Sequence, residues 1–347
     1  MNILIVGPSW VGDMVLAQSL FKVLKTRHPE AHIDVLAPAW SSALLARMPE
    51  VRAALTAPFK HGELALGKRR ALGRQLLPSH YDWAIVLPNS FKSALAPFFA
   101  RIPKRTGYVG EWRYGILNDA RRLDTSRLTM TVQRFVALGL ERDAALPMPL
   151  PIPALQTQPA DGQTALDSLG LAAVAQPILA LCPGAEYGPA KRWPPEYFAD
   201  IARAKLQDGW RVWIFGSDKD REVADQVAAQ ASGCENLAGR TVLAQAIDLL
   251  GLSTAVVSND SGLMHVAAAL NRPLVAIYGS SDPGFTPPMS QRACITRLNI
   301  ECSPCFERVC PLGHLRCLRD LEPARVAQAL SQLGVGSSGM ANAAPKN

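Results

Sequence analysis

Two groups of residues have types and spacings that could do chemistry. The first is Asn259-Asp260-Ser261-Gly262-Leu263-Met264-His265. Ala255–Val257 ahead of it are apolar and β-prone, and Met264 to Leu270 behind it are apolar and helix-forming. The stretch therefore reads as strand, tight turn and helix. Asn259, Asp260 and Ser261 are all good helix caps. A helix starting here leaves the amides of Ser261, Gly262 and Leu263 unpaired at the positive end of its dipole, where they can hold a phosphate. Gly262 offers no side chain to block a close ligand. Asp260 repels a phosphate, so it suits hydroxyl groups better. The same residues also fit an ordinary capped helix.

The second group opens the chain. Gly7, Ser9, Gly12 and Asp13 follow the apolar run Asn2–Val6. The pattern is neither GxGxxG nor a P-loop, because Asp13 stands where a P-loop has lysine. A carboxylate at a helix start serves as a cap; at the carboxyl end of a first strand it can also be a general base. Further on, Cys182-Pro183-Gly184-Ala185-Glu186-Tyr187-Gly188-Pro189-Ala190-Lys191 joins a glycine loop to a lysine. Lys191 is either a surface charge or a cation that neutralises a diphosphate leaving group without metal. No DxD pair is placed to hold a divalent ion. Glu222 opens a later helix and fits a ribose diol or the helix dipole. Cys302, Cys305, Cys310 and Cys317, with His314, fall within 16 residues. Such a set can hold a structural zinc or be a loop of reduced thiols.

These groups need a scaffold. Apolar strands are expected at 2–7, 32–37, 82–87, 105–109, 178–182, 212–215, 255–257 and 274–278, with helices at 14–28, 42–48, 68–76, 93–100, 128–138, 195–208, 221–231, 243–250 and 320–333. The alternation predicts two doubly wound α/β domains, 1–155 and 165–335, each with a parallel sheet, and a cleft between them as the site. The Pro-rich stretch 146–162 reads as the linker. Residues 336–347 are small and polar and read as a disordered tail.

The chain has 347 residues, 48% hydrophobic and 19% charged, with a net charge of +7. The basic balance favours an anionic partner. No apolar run reaches the ~18 residues that a membrane-spanning helix needs. With no secretory signal at Met1, a cytoplasmic protein is expected, and its seven cysteines point to thiols or metal rather than disulfides. Aromatic residues do not interleave with the basic ones as single-stranded nucleic acid requires.

Four segments carry a resemblance: GPSWVGDMVLAQSL, LPNSFKSALAPFFARIPKRTGY, CPGAEYGPAKRWP and SNDSGLMHVAAALNRPLVAIYG. The chain resembles the ADP-heptose:lipopolysaccharide heptosyltransferases of glycosyltransferase family 9, and the heptosyltransferase II group among them, over roughly residues 1–335. The resemblance implies a GT-B fold and inverting transfer of L-glycero-D-manno-heptose from ADP-heptose to the first heptose of the lipopolysaccharide inner core. It implies that Asp13 is the general base and that Lys191 stabilises the departing diphosphate. Donor contacts carried over are Ala185, Glu186, Lys191, Glu222, Asp260, Ser261, Gly262, Leu263 and His265. Arg69, Arg70, Lys92, Lys104 and Arg105 would read the anionic acceptor. It further implies that no cofactor is required for catalysis and that contact with the cytoplasmic face of the inner membrane is peripheral. The alternatives are heptosyltransferase I-type transfer to Kdo and a GT-B nucleotide-sugar epimerase or hydrolase. A basic module that binds nucleic acid or anionic lipid is a further alternative, of a different class.

Overall fold

Strands that are apolar at every position must be covered on both faces, and helices do so here in two separate units. In the computed structural model, which describes residues 1–59 and 62–335, the units are Met1–Gln156 with Gly284–Thr286, and Thr157–Pro283 with the chain from Pro287 onward. The segment 336–347, read as a tail, lies outside the described residues.

The first unit runs β1 (Asn2–Val6), α1 (Val11–Arg27), β2 (His32–Ala37), α2 (Ser42–Leu45), β3 (Val51–Thr56), α3 (Leu66–Leu76), β4 (Trp83–Val86), α4 (Leu95–Phe99), β5 (Lys104–Tyr108), β6 (Asp119–Arg121) and α5 (Thr131–Leu138). The second runs α6 (Pro159–Leu169), β7 (Ile178–Cys182), α7 (Pro195–Gln207), β8 (Arg211–Ile214), α8 (Arg221–Gln230), β9 (Glu235–Asn236), α9 (Leu243–Leu252), β10 (Ala255–Asn259), α10 (Gly262–Ala269), β11 (Leu274–Ile277), β12 (Ala293–Thr296), α11 (Arg316–Arg319) and α12 (Pro323–Gln332).

Every strand pair is parallel. The orders are β3-β2-β1-β4-β5-β6 and β12-β11-β10-β7-β8-β9. Counted from its own first strand, each sheet has the same doubly wound, Rossmann-like order. The winding reverses between β1 and β4 in the first unit and between β7 and β10 in the second. A crevice opens at the carboxyl ends of such strand pairs, because their following helices leave to opposite faces. The first switch point is followed by the Asp13 turn, and the second is flanked by the Lys191 loop and the Asp260 turn.

Several elements differ from expectation for local reasons. The Trp10 carbonyl accepts the Met14 amide at 2.9 Å, so α1 starts at Val11 and Asp13 sits inside its first turn. Pro159 stands at the start of α6, where its fixed φ and missing N–H cost nothing; helix therefore begins within the stretch read as linker. Strands β3, β6, β9 and β12 were not anticipated. Three have only two to four residues, and β3 alternates half-buried and exposed positions.

Candidate functional site

The second switch point is built around a buried amide. Asn259, at the end of β10, donates from Nδ2 to the Pro183 carbonyl at 2.7 Å and accepts the Trp193 amide at 3.1 Å. Trp193 is fully buried, and its indole N–H donates to the Leu321 carbonyl at 2.8 Å. The loop between Pro183 and Trp193 is thus fixed at both ends. Within it, Lys191 Nζ lies 2.5 Å from Asp260 Oδ2, and Ser281 Oγ donates to the same oxygen at 2.5 Å. Asp260 is 5% exposed. A carboxylate so buried needs a cation and hydrogen bonds. Asp260 was expected to contact the donor; its Oδ2 pairs with Lys191 and accepts from Ser281, which holds the lysine in place.

One residue on, Ser261 precedes α10 in extended conformation, with no side chain capping the helix. Ser261, Gly262 and Leu263 are half-buried, whereas Met264–Ala269 are buried. Only the start of the helix is within reach of solvent. His265 is buried, and its Nδ1 has no hydrogen-bond partner among the described residues. Burial pushes its pKa down to about 4 from 6.5, so the imidazole is neutral at pH 7. An unfolded chain binds the proton at the higher pH, so stability falls as pH drops from 6.5 toward 4. Between those values His265 is expected to contribute a loss on the order of 3 kcal/mol. His265→Gln should remove that component from urea titrations run across the window.

Gly184 shows why this loop carries glycine. A Cβ there would meet the Asp220 carboxyl group at 2.3–2.6 Å. Asp220 is buried and accepts from the Ser217 amide and hydroxyl at 2.9 and 2.7 Å. Gly184→Ala must therefore move a hydrogen-bonded carboxylate. A stability loss of about 1–3 kcal/mol is expected by urea denaturation. Ala185 is buried, and exposed Glu186 pairs with Lys219 at 2.5 Å. Glu222 is exposed in the first turn of α8.

Sequence reasoning missed four residues here: Asp220, Ser281, Tyr187 and Arg308. Each also meets a residue remote in sequence: Asp220 closes on Gly184, Ser281 on Asp260, Tyr187 on Phe306 and Arg308 on Ala190. The Tyr187 hydroxyl donates to the Phe306 carbonyl at 2.7 Å. Lys191 Nζ and the Arg308 guanidinium lie 5.0 and 5.1 Å from its ring centroid. The Arg308 carbonyl accepts the Ala190 amide at 3.0 Å. Among the described residues no carboxylate pairs with the Arg308 guanidinium.

At the first switch point, Asp13 is half-buried in the first turn of α1. Lys92 is half-buried in the segment after β4 and so shares that carboxyl edge. The other basic residues expected to read the acceptor do not gather there. Arg69 is 6% exposed and donates to the carbonyls of Leu64, Lys92 and Glu63. It is a structural brace. Lys104 and Arg105 open β5, so they lie at the amino edge of the sheet, away from Asp13. Lys104 sits over the Trp83 ring, and Arg105 donates to the Ile116 and Ile102 carbonyls. Arg70 is exposed on α3. The carboxyl ends of β5 and β6 instead border a cavity of about 320 Å³ lined by Tyr108, Arg121, Arg122, Arg127 and Arg142 among others.

The cysteine block was read as a structural zinc site or a loop of reduced thiols. Among the described residues, no group of three or more His, Cys, Asp or Glu side chains is placed to hold a metal ion. Cys317 is buried in the core, which pushes its pKa up to about 11. Cys310 accepts from the backbone amides of Leu315 and Leu312–His314, which hold its pKa below the usual thiol value. His314 Nδ1 accepts the Arg316 amide at 3.0 Å. Cys302, Cys305 and Cys310 also raise the Cys317 pKa by charge, so the four thiols lie near one another.

Comparison with known proteins adds what geometry alone leaves open. Residues 69–316 match the family model of glycosyltransferase family 9 (heptosyltransferase). The chain belongs to glycosyltransferase family 9. This family 9 enzyme is 48% identical over 343 residues to lipopolysaccharide heptosyltransferase 2 of Salmonella typhimurium, covering 96% of this chain and 98% of the relative. It is 49% identical over 315 residues to lipooligosaccharide heptosyltransferase 2 of Haemophilus influenzae, covering 86% and 89%. Its fold matches the solved structure of E. coli ADP-heptose lps heptosyltransferase II with a TM-score of 0.85, 46% identity and coverage of 96% and 98%. The two Rossmann-like units are those of a GT-B glycosyltransferase.

Proposed function

We propose that this enzyme transfers L-glycero-D-manno-heptose from ADP-heptose to a heptose already present on the lipopolysaccharide inner core. The observation that carries the reading is the Lys191–Asp260 pair at the start of α10, in a chain 48% identical over nearly its full length to lipopolysaccharide heptosyltransferase 2.

The donor binds the second unit. Its diphosphate lies against the amides of Ser261, Gly262 and Leu263, where the helix dipole favours negative charge. Lys191 stands beside it, and Glu222 meets the ribose diol. Asp260 balances the charge of Lys191, so the lysine–aspartate pair alone adds no net charge. The remaining compensation comes from the helix start and from Arg308. The leaving group needs this stabilisation because negative charge builds on the β-phosphate as the glycosidic bond breaks.

The acceptor binds the first unit. Asp13 takes the proton of the attacking hydroxyl as its oxygen bonds to the anomeric carbon. Displacement in one step inverts that centre, so a β-linked donor gives an α-linked product and ADP leaves. Acid groups of the inner core are read at the carboxyl edge by Lys92 and Arg122. Arg121 and Arg142 also line that edge, but both already pair with Asp119, at 2.7 and 3.0 Å. Arg122 is exposed and has no ion pair among the described residues. No described helix is long and apolar enough to cross a membrane; the enzyme works at the cytoplasmic face of the inner membrane by peripheral contact.

The test compares two acceptors, one ending in Kdo and one carrying a single heptose, by mass spectrometry after incubation with ADP-heptose. The heptose-bearing acceptor should gain one heptose and the Kdo-terminated one none. Gain on the Kdo-terminated acceptor alone would contradict the acceptor assignment.

A further inference from the structure

The positive charge is unevenly divided. Residues 1–156 hold 20 Lys and Arg against 11 Asp and Glu, whereas residues 157–347 hold 16 against 18. The first unit therefore carries the whole basic excess. Its carboxyl edge also presents large aromatic side chains to solvent. Trp112 is 87% exposed, Tyr114 56% and Phe91 36%. All three follow strand ends at this edge: Phe91 after β4, and Trp112 and Tyr114 after β5. Isolated exposed apolar residues are ordinary, but these belong to two loops that are bound together.

Buried Arg113 makes the connection. Its guanidinium donates to the carbonyls of Pro88 and Ser90 and to Ser93 Oγ in the first loop, and to the Tyr108 carbonyl at the root of the second. It is 1% exposed, and burial lowers its pKa to about 10. The Phe91 amide donates to the Glu111 carboxylate at 2.7 Å. A Cβ on Gly110 would meet the Asn89 carbonyl oxygen at 2.4 Å, so glycine lets the loops touch. Glu111 and Trp112 both adopt left-handed backbone, with φ of 46° and 56°. Non-glycine residues rarely hold that conformation in succession. The fold thus commits a buried cation and two strained residues to a platform that leaves an indole in water.

We propose that the Phe91–Trp112–Tyr114 platform docks the first unit on an anionic lipid bilayer. Trp112 and Tyr114 carry a polar edge that settles at the headgroup level, Phe91 adds apolar area, and basic groups beside them are drawn to anionic lipid. Lys92 and Arg122 are cations of this edge with no ion pair among the described residues, unlike Arg121 and Arg142. The inference rests on the proposed function in one respect. An acceptor tethered in a bilayer must reach Asp13, and Asp13 lies at the same carboxyl edge as the platform.

The experiment uses the full chain, with Trp112→Ser and the double variant Phe91→Ser/Trp112→Ser. Partition onto vesicles of phosphatidylglycerol and phosphatidylethanolamine is compared with partition onto phosphatidylcholine vesicles, with no substrate present. Wild type should favour the anionic vesicles, with binding that weakens as salt rises. Trp112→Ser should lower that partition about tenfold, and the double variant further. Both variants should keep wild-type turnover on a delipidated, water-soluble acceptor while losing turnover on acceptor embedded in vesicles. Unchanged partition in the variants would overturn the proposal. So would an equal rise in KM on the delipidated acceptor, because the rings would then be stacking on sugar. A wild type that binds vesicles but transfers no heptose to either acceptor would sink the functional reading and leave the docking surface standing.

Discussion

Asp13→Asn is expected to lower kcat by about 10²–10⁴ while leaving the affinity for ADP within about twofold. An amide has nearly the shape of the carboxylate but cannot take a proton at neutral pH. The residue sits in the first turn of α1, so losing its charge also removes a favourable dipole interaction of about 0.3–1 kcal/mol. A penalty of that size leaves the protein folded. The groups proposed to hold the donor, Lys191, Glu222 and Ser261–Leu263, all belong to the other unit, which is why nucleotide affinity should hold. Single-turnover rates and calorimetric titration with ADP separate the two quantities. Wild-type kcat in this variant would place the base elsewhere.

Lys191→Met should have the second large effect, and it acts in two ways. It removes the cation proposed to stand beside the leaving group, for which a loss of about 10²–10³ in kcat is expected. It also leaves Asp260, 5% exposed, with Ser281 alone. Removing one partner of a buried ion pair costs about 3–5 kcal/mol. The double variant Lys191→Met/Asp260→Asn separates these effects. With both charges gone, most of the stability should return, as read by urea denaturation, while kcat stays low. Recovery of activity together with stability would show that Lys191 serves only to neutralise Asp260.

What could be read from the sequence follows from how far each signal reaches. Central strands such as Ile178–Cys182 and Leu274–Ile277 are apolar at every position because helices cover both faces. Asp13, Lys191 and Asp260 stand out because each follows a largely apolar strand, by seven, nine and one residues. Their placement at two topological switch points needs the strand order, which no local pattern states. Edge strands such as Glu235–Asn236 are too short and polar to announce themselves. The basic residues show the limit most clearly. Arg69 and Arg113 look like surface charge, yet each is buried against carbonyls 5 to 25 residues away. Lys104 and Arg105 flank a strand as Lys92 does, but at its other end. Only the direction of the sheet tells them apart. The cysteine block had close spacing, and its thiols do stay near enough to interact, since Cys302, Cys305 and Cys310 raise the pKa of buried Cys317.

The most direct test of the account is ADP release from ADP-heptose by the wild-type enzyme, with and without an inner-core acceptor that carries one heptose. The account predicts that ADP appears only when both substrates are present, in step with the heptose gained by the acceptor. Equal release without acceptor would contradict it: the protein would then process the donor alone, and the roles given to Asp13, Lys92 and Arg122 would fall.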